Sequence, residues 1–146
     1  MTITETEAAT DITRDVLKKT SEDRRFNWQD QRDFDFAQRG LIARALLNDI
    51  QNDQGDVVWG ITAYDAFLEK ERSDTIHPSL WRLAKLNNER GLYRVTEGVY
   101  QVRGHALANI TFIRGNTGYI VIDPNNTVEI ARFALNLLFQ HLGCPS

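Results

Sequence analysis

The sequence predicts an α/β chain of the mixed, α+β kind, in which a charged helical or extended arm leads into a run of strands closed by one helix. Two observations carry this. Sixteen of the first forty residues are charged against seven of the last fifty-six, and six of the nine glycines fall in that last part. From Gly91 the apolar period also changes, from helical spacing to the alternation of a strand. At 146 residues and 42% hydrophobic, the chain holds material for one ordinary core and not for two.

Three segments follow from this. Residues 1–25 are charged and open on MTITETEAATDITRDVLKK, so they are expected to be a mobile N-terminal segment. Residues 26–90 form an arm expected to be mostly helical, anchored by Phe26, Trp28, Phe34 and Phe36. Within it ALLNDIQNDQGDVVWG reads as a helix end, a turn at Asp53 to Gly55 and an extended piece over Val57 to Trp59. Ile61, Tyr64, Phe67 and Leu68 then recur at helical spacing, and His77-Pro78 breaks the pattern.

Residues 91–146 carry four strands and one helix. LYRVT and VYQVR flank Glu97-Gly98 as a hairpin, with Tyr100 and Val102 on one face and Gln101 and Arg103 on the other. GHALA is a loop, NITFIRG a third strand and YIVIDP a fourth. That fourth strand is apolar on both faces over Tyr119 to Ile122, which predicts a place inside a sheet. In the helix after it, Asn126 with Glu129 reads as a capping box and Gly143 as the stop. Its apolar face is expected to be Val128, Ala131, Leu135, Leu138 and Leu142.

Composition narrows the function classes. A net charge of −3, with basic residues interleaved among acids, offers no concentrated cationic surface for nucleic acid. No run approaches the ~20 apolar residues of a membrane span, and the N-terminus lacks the apolar core of a secretory signal, so a cytoplasmic location is expected. The single cysteine, Cys144, cannot form an internal disulfide.

Most candidate chemistry has an ordinary explanation. His77, His105 and His141 follow no metal-ligand spacing. Asp30, Asp33 and Asp35 lack the glycine and terminal glutamate of a calcium loop. Gly115-Asn116-Thr117-Gly118 is a hairpin turn without the Lys-Ser or Lys-Thr of a phosphate loop. Asp123 is different: a carboxylate ending a strand, followed by Pro124 and a capped helix, stands where α/β sheets place their sites. It reads equally as a turn-forming Asp-Pro.

Four blocks taken together carry more than any of these motifs. QRDFDFAQRGLIA, DVVWGITAYDAFL, HPSLWRLAKLNNERGLYRVTEGVYQVRGHALANITF and GNTGYIVIDP, in that order, resemble the opening of the alkyl sulfatases of the metallo-β-lactamase superfamily, from about Phe26 to about Gly143. The resemblance implies an incomplete αββα domain over 91–146, from an enzyme that hydrolyses long-chain alkyl sulfate esters such as dodecyl sulfate with zinc. It implies that Asp123 braces the loop bearing the metal ligands, and that His105 and Asn109 line the substrate mouth. Some relatives are periplasmic or secreted.

The DPNNTVE reading after the aspartate departs from the family pattern. The family's HxHxDH zinc motif is also absent: the helix is expected to end near Leu142, and a connecting loop and strand need roughly 2 to 6 and 5 to 6 residues. The expectation is therefore a chain with no cofactor and no catalytic residue of its own. Two readings stay open: an inactive N-terminal fragment of an alkyl sulfatase, or a non-catalytic module that self-associates or binds sulfatase subunits or a complementing C-terminal piece. The coding sequence downstream separates them.

Overall fold

A computed structural model describes residues 8–45 and 48–144. The element order is α1 (Asp11–Ser21), α2 (Arg32–Ala37), β1 (Leu41–Ala43), β2 (Ile50–Gln51), β3 (Val57–Trp59), α3 (Thr62–Leu68), α4 (Pro78–Asn87), β4 (Gly91–Thr96), β5 (Val99–Arg103), β6 (Ile110–Arg114), β7 (Tyr119–Ile122) and α5 (Val128–Leu142). Mixed helix and strand is the class the sequence predicts.

Strands β4 to β7 form an antiparallel meander, because each connection is short and carries glycine or small polar residues where the chain reverses. Gly98 turns the first hairpin at φ 72°, and the Gly115 N–H closes the third on the Gly118 carbonyl at 2.8 Å. Alternation along β5 is as expected, with Tyr100 and Val102 buried between partly covered neighbours. They join Leu92, Ile110 and Phe112 on the face that α5 covers.

The arm contributes a strand that sequence reading does not find. β1 pairs antiparallel with β4, Leu41 opposite Tyr93, and makes a fifth strand in the order β1-β4-β5-β6-β7. Gly40 permits this. Its φ is 77°, and a Cβ there would stand 2.2 Å from the Arg94 carbonyl oxygen. The helix end read in ALLND falls in part on Leu46 and Leu47, outside the described residues, and Ala45, Asn48 and Asp49 beside them are in neither helix nor strand.

Within 1–25, the segment expected to be mobile, Asp11–Ser21 is helical. Thr10 caps α1 by accepting from the Thr13 N–H at 3.2 Å, Leu17 is buried, and Arg14 reaches Asp74 at 2.8 Å. Of the arm's expected anchors, Phe34 lies under the Arg82 guanidinium, whereas Phe26 and Phe36 are 51% and 57% exposed. His77, read as a breaker, starts α4: its Nδ1 accepts from the Ser79 N–H at 3.2 Å, and Pro78 occupies the first turn.

Three expectations about the last elements need correction. Thr127, not Asn126, caps α5, accepting from the Ile130 N–H at 3.3 Å. The buried face of α5 is Ile130, Ala134, Leu137 and Leu138, while Val128 is 61% exposed. Ten of its fifteen residues are apolar, so the apolar arc is wide and its buried centre lies to one side of the expected stripe. Finally, β7 is an edge strand among the described residues, with Ile120, Val121 and Ile122 exposed, rather than an interior one.

Candidate functional site

Antiparallel order brings two loops to the same end of the sheet. Residues 104–109 leave β5 and enter β6, and residues 123–127 leave β7, whose Ile122 stands opposite Thr111 of β6. One hydrogen bond joins them: the Ala108 N–H donates to Asn125 Oδ1 at 3.4 Å. Asp123 and Asn125 both adopt positive φ, 53° and 67°, a region that Asp and Asn enter more readily than other non-glycine residues. Asp123 is exposed, and its carboxylate accepts from the Asn125 N–H at 3.4 Å. That geometry serves a turn as well as a brace.

His105 and Asn109 share the first loop but face different surroundings. His105 is 3% exposed; its ring stacks on Phe133 of α5 at 4.7 Å, and its Nδ1 lies 2.7 Å from the Arg103 carbonyl oxygen. Since a carbonyl only accepts, Nδ1 carries the proton. Burial holds the imidazole neutral, with its pKa lowered to about 4, and the nearby Arg90 charge acts in the same direction. The ring thus anchors the loop to α5. Asn109 is exposed and borders a cavity of about 210 Å³ with Arg103 and Leu107.

On the arm side of this loop lies a second cavity, of about 420 Å³, between Trp59 and Tyr64 of the arm and Ala106 and Leu107 of the loop. Leu107, at the loop's tip, is 87% exposed, and sequence reading passes over it because a single leucine in GHALAN has no periodicity. Beneath, Asp65 of α3 accepts from Asn88 at 2.9 Å and from the buried Arg90 guanidinium. Gly104 makes the approach possible: its φ is 76°, and a Cβ would stand 2.2 Å from Arg90 Cγ. Asp49 ties the arm locally, and the N–H groups of Thr62 and Ile61 hold its carboxyl below the usual range.

The donors do not assemble a zinc site. Three or more ligands must converge on one ion. His77 sits at the start of α4, His105 is engaged with Arg103, and His141 Nδ1 lies 3.0 Å from the Leu137 carbonyl oxygen. Among the described residues no three His, Cys, Asp or Glu side chains gather in a metal-binding group, and Cys144 stands exposed. The residues present do not fit the metal that the resemblance implies. No described helix is long and apolar enough to cross a membrane.

No protein-family profile matches the chain. Individual proteins do. An (R)-specific secondary-alkylsulfatase from a Pseudomonas species is 47% identical over 112 residues, which is 77% of this chain and 17% of the relative. An alkyl/aryl-sulfatase of Saccharomyces cerevisiae is 44% identical over 78% of the chain and 18% of its own length. A Pseudomonas linear primary-alkylsulfatase is 38% identical over 78% of the chain, again 17% of the relative. The solved structure of the stereoselective inverting sec-alkylsulfatase Pisa1 from a Pseudomonas species superposes on 94% of this chain with a TM-score of 0.83 and 42% identity, using 21% of its own chain. The chain therefore spans about a fifth of the length of the proteins it matches.

Proposed function

Since the chain is homologous to one portion of the alkylsulfatases, we propose that it supplies the arm and first strands of a zinc-dependent hydrolase of long-chain alkyl sulfate esters, and that the metal ligands lie outside these 146 residues. The observation that carries the reading is the superposition with Pisa1: 42% identity and a TM-score of 0.83 over nearly the whole of this chain. Zinc chemistry needs a ligand set that holds the ion and lowers the pKa of bound water. The donors described above do not converge, so the reading gives this chain structural work and no turnover of its own. In it Asp123 braces the neighbouring metal-site loop through hydrogen bonds, from the end of β7 where the two loops meet.

The exposed β7 edge favours a second reading, a non-catalytic module that binds sulfatase subunits or a complementing piece. One experiment separates the two. The purified chain is dialysed, analysed for metal and assayed for sulfate release from dodecyl sulfate, alone and with the unmatched remainder of a homologous alkylsulfatase. The expected result is less than stoichiometric zinc and no turnover alone, with turnover on mixing. Association without turnover favours the module, and one tightly held zinc per isolated chain with turnover overturns both.

A further inference from the structure

We propose that the groove on the arm between residues 28–34 and α4 binds a carboxylate carried beside an aromatic ring, a ligand class that the sulfate-ester reading does not supply. The groove has a volume of about 440 Å³, and none of its lining residues belongs to the two loops at the end of the sheet. Its walls are the rings of Trp28, Phe34 and Trp81, and its cations are Arg72, Arg82 and Lys85. Sites for small molecules have this size and this mixture of apolar wall with a few placed polar groups.

Helical spacing builds one side of it. Pro78, Trp81, Arg82 and Lys85 stand at i, i+3, i+4 and i+7 of α4, so a single face of the helix carries a ring between two cations. Trp81 is buried and meets Phe67 edge-on at 5.3 Å. The Arg82 guanidinium lies over Phe34 at 4.9 Å, and Lys85 Nζ lies over Trp81 at 5.6 Å. Each cation is thereby held beside a ring.

Charge decides which ligand the groove prefers. Arg72 donates through Nη1 to the Ser73 and Ile76 carbonyls, and Arg82 donates through Nη2 to the Asp30 carbonyl and, at 3.3 Å, to Asp33. Carbonyls satisfy donors without cancelling charge, and the Asp30 carboxylate is engaged by Arg32. Asp33 is thus the one carboxylate paired with the three cations among the described residues. The remaining nitrogens of both guanidiniums and the Lys85 ammonium keep donors to offer. Trp28 Nε1 adds to this surplus, being buried with no acceptor among the described residues. A carboxylate supplies both the acceptors and the missing negative charge. The rings set the second requirement, because a flat apolar body gains contact with them that a bare anion cannot make.

The test is a ¹H–¹⁵N titration of the ¹⁵N-labelled 146-residue chain with phenylacetate, phenylacetamide, acetate and the peptide acetyl-Glu-Phe-Glu-amide. The chain has three tryptophans, and the indole N–H of Trp59, which lies outside the groove, serves as the internal reference. Phenylacetate and the peptide should shift the Trp28 and Trp81 indole signals saturably, with a dissociation constant on the order of 1 mM for phenylacetate. Acetate and phenylacetamide should bind about tenfold more weakly. Lys85→Glu should weaken phenylacetate about tenfold, and Lys85→Arg should keep it within about twofold. Lys85 is exposed and makes no hydrogen bond or ion pair among the described residues, so both variants stay folded. Tighter binding of the peptide than of phenylacetate assigns the carboxylate to an acidic protein segment, and the reverse assigns it to a free aromatic acid. Equal affinity for phenylacetate and phenylacetamide, shifts confined to Trp59, the absence of saturation, or wild-type affinity in Lys85→Glu each overturn the proposal. None of these readouts involves turnover, so the sulfatase reading stands or falls separately.

Discussion

Acidification from pH 6.5 to 4 should destabilise this protein through one side chain, His105. Its imidazole is buried against Phe133, and its pKa falls from the ordinary 6.5 to about 4. The native state therefore resists a proton that the unfolded chain accepts. The associated stability is fully present above pH 6.5 and is lost as pH falls toward 4, because throughout that window the unfolded state binds more protons. One pKa unit corresponds to about 1.4 kcal/mol, so a displacement from 6.5 to about 4 amounts to roughly 3 kcal/mol. Against a typical total of about 5 to 15 kcal/mol that is a large fraction. Carboxylates act lower on the scale: Arg25 and Arg32 hold Asp23 and Asp30 at about 2, so whatever these contribute is lost only below the ordinary 3.8. Urea melts at half-unit steps from pH 8 to 4, on the wild type and on His105→Phe, measure the effect. Phenylalanine keeps the contact with Phe133 but has nothing to titrate, so the variant should be flat where the wild type declines. Equal slopes in the two proteins, or a flat wild type between pH 6.5 and 4, would refute the reasoning.

Three further outcomes follow from local geometry. Asp65→Ala strands the buried Arg90 charge and should cost about 3 to 5 kcal/mol, read as a lower urea midpoint at unchanged m-value. Thr127→Ala should lower stability by about 1 kcal/mol whereas Asn126→Ala should stay within about 0.5, and the reverse order would return the cap to Asn126. The wild type should show concentration-dependent association in light scattering, reduced by Ile120→Lys on the uncovered β7 edge; a wild-type monomer at every concentration would contradict it.

What sequence reading recovers here is what local chemistry determines. The meander from β4 to β7 is legible because alternation and turn residues lie next to each other, as in VYQVR after Glu97-Gly98. β1 is not, since Leu41 to Ala43 become a strand only by pairing with a partner about fifty residues away. The α5 face is misplaced because Val128, Ile130, Ala131, Phe133, Ala134 and Leu135 offer apolar atoms in several directions, and the sheet, not the helix, chooses among them. Asp123 and Asn109 lie one in each of the two loops that are joined through Ala108 and Asn125. His105, expected to line a mouth from the resemblance, has its ring turned into the protein. Whether a loop side chain faces inward depends on its neighbours, here Phe133 and the Arg103 carbonyl.

The pairing of β1 with β4 gives the sheet a direction in time. Residues made early by the ribosome seal one border, so when β4 emerges its outer hydrogen-bonding groups already have a mate waiting. β5, β6 and β7 then add one at a time on the other side, each against the strand completed just before it. Growth of this kind leaves two borders among the described residues, the outer sides of β1 and of β7.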